Sequence, residues 1–149
     1  MVRTLHGGST GLCLLVLPLL AACGGSGGGD DATVRVLATD GAERFAVDVE
    51  IADDEAERLA GLRGRDGLDA GEGLLIVLPA QGEVCITNRG VAFAIDAVFA
   101  SEDGTVTALA AGIAADDDSL HCADGVRYVL EVAAGVAEGV RPGNRVIIP

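Results

Sequence analysis

Between Cys85 and Leu109 the chain reads Cys-Ile-Thr-Asn-Arg-Gly-Val-Ala-Phe-Ala-Ile-Asp-Ala-Val-Phe-Ala-Ser-Glu-Asp-Gly-Thr-Val-Thr-Ala-Leu, and this stretch leaves the fold little choice. Strand side chains alternate with period two, so Phe93, Ile95, Ala97 and Phe99 share one face and Ala94, Asp96, Val98 and Ala100 the other. Ser101-Glu102-Asp103-Gly104 supplies the turn, with Asp-Gly the strongest short hairpin signal, and Thr105 to Leu109 returns. The sequence holds only three Phe, one Tyr and no Trp. A core with so few large rings is expected to gather around Phe93, Phe99 and Tyr128.

The N-terminus reads as an export signal. Arg3 precedes an apolar run from Leu12 to Ala22, which has the length of a signal-peptide core rather than a membrane span. The run closes on Leu20-Ala21-Ala22-Cys23, which is similar to a bacterial lipobox, with the Cys23 thiol as the atom that accepts diacylglycerol. The expected organisation is a leader over 1–22, a tether over 23–32 and one domain over 33–149. The tether, Gly24-Gly25-Ser26-Gly27-Gly28-Gly29-Asp30-Asp31, cannot bury a core, and its typical reach is about 15 Å. An acyl chain contributes about 0.8 kcal/mol per buried CH₂ to membrane attachment. The expected location is therefore the extracytoplasmic face of an envelope membrane, with the domain held close to the bilayer.

Composition narrows the partners. The formal net charge is −13, and it becomes one unit more negative when Arg3 leaves with the leader. No Lys occurs. That balance argues against nucleic acid and against anionic headgroups. A single modest core and a monomer are expected from the length.

Within the domain, Thr33 to Ala38 and Arg44 to Ile51 alternate as strands about the turn Thr39-Asp40-Gly41-Ala42, with Phe45, Val47, Val49 and Ile51 facing inward. Asp54 opens a short helix, and Glu57 three residues on completes a capping-box pattern, with Leu59 and Leu62 expected on its buried side. Leu74-Leu75-Ile76-Val77-Leu78 is a continuous apolar run of central-strand type that Pro79 is expected to end. Past Leu109 the pattern is poor. Ala115-Asp116-Asp117-Asp118-Ser119 reads as a solvated loop without the Gly and distal Glu that an EF-hand calcium loop requires.

Three of these segments carry a resemblance. Ile86-Thr87-Asn88-Arg89-Gly90-Val91-Ala92-Phe93-Ala94-Ile95-Asp96 with Phe99 and Asp103-Gly104 is similar to the signature of the domain-of-unknown-function 192 (DUF-192) family, Ile-His-Thr-x-Gly-Met-x-Phe-Pro-Ile-Asp-x-x-Phe followed by an Asp-Gly hairpin. Thr87 stands where that signature has His, Asn88 where it has Thr, Val91 where it has Met, and Ala94 where it has Pro. Glu57, Arg58, Gly61, Leu62 and Arg65 match a second motif. Val126 to Gly135 and Arg141-Pro142-Gly143-Asn144 resemble a third, which leads through a short helical turn over Val136 to Val140 into a last strand. The resemblance implies an α+β fold: a small β-dominated domain, mostly antiparallel, with one short helix packed against the sheet or barrel. It implies no reaction.

The chemistry available is sparse. With Cys23 lipidated, Cys85 and Cys122 remain in an oxidising compartment, which invites a disulfide. Two free thiols are an alternative. A metal site from Cys85, Cys122 and His121 is another, but it lacks an obvious fourth ligand. No cofactor motif, nucleophile elbow or phosphate loop is present. Two functions stay open. One is a non-catalytic module binding a small molecule or protein partner, with Arg65, Asp96 and Glu131 as the candidate polar patch. The other is a hydrolase-like enzyme pairing Asp96 with Glu131 or Glu57, which requires two carboxyls about 5–9 Å apart in an open cleft.

Overall fold

The computed structural model describes residues 32–149, so the leader, Cys23 and the tether up to Asp31 lie outside the described residues. Seven strands form one sheet: β1 Ala32–Leu37, β2 Glu43–Ala52, β3 Glu72–Ile86, β4 Ile95–Ala100, β5 Val106–Ile113, β6 His121–Ala133 and β7 Arg145–Ile147. The spatial order is β5-β4-β6-β3-β2-β1-β7. Every neighbouring pair is antiparallel except β2 and β3, which run parallel with Asp48 opposite Glu72 and Ala52 opposite Ile76. That parallel step requires a crossover, and the crossover carries the helix α1 Glu55–Ala60. The fold is β-dominated as expected, and a curled mixed sheet describes it better than α+β.

The two edges of the sheet approach each other. Thr105 bridges to Arg145, the Val106 N–H donates to the Asn144 carbonyl, and the Val146 N–H donates to the Gly104 carbonyl at 2.7 Å. The Asp-Gly hairpin is thus the latch that brings β5 against β7. Its turn is held by the Ser101 hydroxyl and Thr105 N–H on the Asp103 carboxylate, which keep that carboxyl down at about 2. Gly104 has φ +82°, and a Cβ there would stand 2.3 Å from the Val146 carbonyl oxygen. Gly104→Ala combines left-handed strain with backbone overlap. It should lower stability by about 2 kcal/mol, read from the shift in urea midpoint.

Burial divides between the two faces. Inside the curl, Val34, Val36, Val47, Val49, Leu75, Val98, Leu130, Val132 and Val146 pack together. On the outer side of β3, β4 and β6, Leu74, Ile76, Ala97, Phe99, Val129 and Leu62 form a second cluster. Only one of the expected aromatic anchors is fully enclosed: Phe99 is buried, while Phe93 and Tyr128 are half-buried. β-Branched and Leu side chains fill the volume that the rings were expected to fill.

The first hairpin follows its alternation, with Val34, Val36, Val47 and Val49 buried between exposed Arg35, Asp48 and Glu50. The capping box on α1 is complete: the Glu57 N–H donates to Asp54 Oδ1 at 2.8 Å, and the Glu57 carboxylate accepts from the Asp53 and Asp54 N–H groups.

Three expectations are corrected. Leu59 is 68% exposed, because the helix ends at Gly61 (φ +52°), and only Leu62, beyond the turn, reaches the core. β3 does not stop at Pro79. Its ladder with β6 breaks between Val77 and Gly82, where a residue lacking an N–H costs no hydrogen bond, and resumes to Ile86. β5 runs on past Leu109 to Ile113, because as an edge strand it alternates weakly between the core and solvent.

Candidate binding cleft

Past the Pro79 irregularity, β3 returns to register with β6 so that Cys85 faces Cys122 and Ile86 faces His121. The two cysteines form a disulfide, with Cα atoms 4.0 Å apart across 37 residues of sequence. Glu83, Cys85 and Cys122 are the group among the described residues whose donor atoms crowd closely enough for a metal ion. Their sulfurs are bonded to each other, however, and a disulfide offers no thiolate. His121 lies outside that group and its Nε2 meets Asp117 Oδ2 at 3.4 Å.

The end of β3, the segment after α1 and the floor of β6 enclose a cleft of about 230 Å³ lined by Arg58, Leu62, Arg63, Ile76, Cys85, Thr87, Asn88, Val91 and Glu131, among others. Glu131 stands opposite Leu74 on β3 and Ala97 on β4, so it projects to the outer face among the second cluster. It is only 6% exposed, and among the described residues its carboxyl has no hydrogen-bond partner. Burial pushes its pKa up to about 7, against the pull of the Arg63 and Arg65 charges, which lower it. The carboxyl therefore holds its proton to a higher pH than an ordinary glutamate does.

The arginines of the cleft are fixed by backbone carbonyls. Arg63 donates from Nε to the Arg89 carbonyl at 2.9 Å and from Nη1 to the Leu59 carbonyl at 2.6 Å. Arg58 Nη1 donates to the carbonyls of Asp53 and Val77, which ties α1 to β3. Gly90, at φ +79°, leaves its surface open to the Arg63 stem, whose Cδ and Nε would lie 3.5 Å from a Cβ there. Asn88 is fully buried beneath; its amide donates to the carbonyls of Phe93 and Ala114 at 2.8 Å each, while its Oδ1 is left without a donor.

The candidate residues named from the sequence are distributed rather than gathered. Asp96 sits opposite Val132, one residue out of phase with Glu131, and so projects to the opposite face. Its carboxylate accepts three N–H groups: Gly112 at 2.7 Å, Gly135 at 2.8 Å and Ala137 at 3.0 Å. These bonds join β4 to β5 and to the turn after β6, and they engage both oxygens of Asp96. Arg65 makes a two-pronged pair with Glu50 at 2.9 and 2.6 Å beside a larger, shallower groove of about 410 Å³ that also holds Asp48 and Glu72. Only Glu131 of the three lines the smaller cleft. The larger groove is less suited to binding, because its one cation is already paired. Asp116 and Asp117 are likewise engaged, accepting from the Gly90 and Ser119 N–H groups respectively.

Arg58, Arg63 and Asn88 escaped notice as site residues in the sequence. Arg58 was visible as a motif match and Asn88 as a departure from the signature, but nothing local distinguished Arg63 from other surface arginines. Thr87, the position where the signature places His, does line the cleft.

Comparison with known proteins agrees with this architecture. The family model described as "DUF192: Uncharacterized ACR" matches residues 36–148. A crystal structure from Sinorhizobium meliloti 1021, of a protein provisionally named a transcription regulator, superposes with a TM-score of 0.76 at 25% identity, covering 80% of this chain and 94% of the other. A protein of unknown function from Novosphingobium aromaticivorans DSM 12444 superposes with a TM-score of 0.74 at 26% identity, covering 79% and 85%. No curated protein matches the sequence.

Proposed function

This chain belongs to the DUF192 family, and on that premise we propose that it is an exported, membrane-tethered module that binds a small ligand, without turning it over, in the cleft above Glu131. The observation that carries the reading is Glu131 itself, a residue only 6% exposed on the floor of an open cleft, whose carboxyl makes no hydrogen bond among the described residues and whose oxygens open to the cleft. An ionisable group held largely out of water with no protein partner for its charge lowers stability, and such groups concentrate where function requires them. The cleft is smaller than a drug-sized site, which suits a ligand of metabolite size.

Tethering rests on Leu20-Ala21-Ala22-Cys23 and the Gly-rich segment after it. Among the described residues no helix is long and apolar enough to cross a membrane. The proposed anchor is a lipid on Cys23, on the strength of the lipobox-like sequence alone. Mass spectrometry of the purified protein should find a diacylglycerol-bearing peptide beginning at Cys23, and Cys23→Ser should release the protein from membranes. An unmodified N-terminus at another residue would remove the anchor from this account.

The alternative is an acid–base enzyme using Glu131, and its raised pKa favours that reading. Binding is favoured because Asp96 is committed to three N–H groups on the opposite face and Glu57 to the helix cap, so neither converges on Glu131 as a second carboxyl. The transcription-regulator name of one structural neighbour is not carried over, since a net charge of −13 repels a phosphate backbone. A thermal-shift screen of small envelope metabolites should find a compound that raises the melting temperature and is recovered unchanged. Turnover that disappears in a folded Glu131→Gln variant would establish the enzyme instead.

A further inference from the structure

We infer that the ligand of this cleft is a compact oxyanion, a carboxylate or phosphate group, held by the guanidinium of Arg63 with Arg58 beside it. The inference rests on the cleft reading above and gives that site its ligand chemistry.

The chain is strongly acidic, yet the lining of this cleft inverts the balance. Arg58 and Arg63 stand in its wall, and Glu131 is the only carboxylate among the lining residues. Arg65 adds positive charge from outside the lining, where it is paired with Glu50. Neither Arg58 nor Arg63 forms an ion pair among the described residues; both are held by backbone carbonyls, which position a guanidinium without neutralising it. Arg63 keeps Nη2 free of protein partners, and its stem lies against Gly90, so little further ordering is needed when an anion arrives. With Nε and one Nη1 hydrogen already donated to carbonyls, Nη2 and the second Nη1 hydrogen are the donors left for an oxyanion.

Glu131 fits the same ligand. In its protonated form it donates a hydrogen bond to an anionic oxygen; when ionised it repels one. The charges that act on it are those of Arg63 and Arg65, while Arg58 shares the cleft lining, so anion binding should be tighter at pH 6 than at pH 8. Thr87 in the wall supplies a hydroxyl, and Leu62, Ile76 and Val91 supply an apolar surface for the rest of a small molecule.

The test uses the purified protein with succinate and inorganic phosphate as probes, at constant ionic strength with chloride as control, followed by amide chemical shifts. Saturable shifts at Thr87, Asn88 and Arg63 with either probe are expected, and which probe binds more tightly identifies the oxyanion. Arg63→Gln should weaken binding at least tenfold and Arg63→Lys by less, since Lys keeps the charge and the stem. Arg141→Gln, outside the cleft, should bind as the wild type does. Glu131→Gln should retain binding and keep only the pH dependence that comes from the probe's own ionisation, measured separately for succinate and phosphate. If a neutral metabolite fills the cleft equally well in wild type and Arg63→Lys while both anions are ignored, the oxyanion assignment falls and the cleft reading stands. If neither anions nor neutral compounds perturb the cleft residues, both fall.

Discussion

Replacing Cys85 and Cys122 together by serine is expected to lower the unfolding free energy by about 4 kcal/mol, the chain-entropy value for a bridge spanning 37 residues. That is a large fraction of the 5–15 kcal/mol typical of a native domain. The two residues face each other across the β3–β6 pair, beyond the point where the ladder breaks around Pro79. The bridge therefore holds together a segment that has lost part of its backbone pairing. Cys85 also borders the cleft, and Ile86, Thr87 and Asn88, which follow it, line the cleft as well. The double variant should thus bind ligand more weakly as well as unfold at lower urea. Both cysteine side chains belong to exposed residues, so a strong reductant should reproduce the stability loss in the wild type and leave the variant unchanged. Two titratable thiols at positions 85 and 122 in protein unfolded without reductant would contradict the bridge.

Glu131→Gln is expected to act in the opposite direction, stabilising the protein by about 2–3 kcal/mol at pH 8. The carboxyl has an ordinary value of 4.5 and a folded value of about 7. Between those values the folded chain holds a proton that the unfolded chain has released, so stability falls as pH rises from 4.5 to 7 and stays lower above. The gap corresponds to about 3 kcal/mol. Glutamine has the same shape and never ionises, so the variant should match the wild type near pH 4 and exceed it at pH 8. Urea unfolding of both proteins across that range measures the difference directly. Wild-type and variant curves that run parallel from pH 4 to 8 would mean that Glu131 titrates as it does in the unfolded chain, and that the cleft floor is wet. A substitution that stabilises the fold while weakening the response of binding to pH is the signature of a residue kept for function.

Local patterns made much of this fold legible. Alternation located β1 and β2, Asp54 and Glu57 spelled out the helix cap, and Asp103-Gly104 marked the turn that latches β5 to β7. These features depend on neighbours in sequence. What was hidden depends on neighbours in space. The passage of β3 through Pro79 becomes possible only because β6 leaves that stretch unpaired. Leu59 looked like a core residue until Gly61 turned the chain and gave the inward position to Leu62. The site was less legible still. Asp96 and Glu131 look alike as motif carboxylates, yet a one-residue difference in register sends them to opposite faces, one to three N–H groups and the other to an open cleft. Arg63 joins Glu131 only through the crossover after α1, which no sequence period reveals.

The claim that a ligand occupies the space above Glu131 is tested most directly by a crystal structure of the protein soaked with the compounds that raise its melting temperature. The account predicts ordered ligand density in the cleft, within hydrogen-bonding distance of the Arg63 guanidinium and the Glu131 carboxyl. A cleft holding only water, with the ligand in the groove beside Arg65 and Glu50 instead, would contradict it.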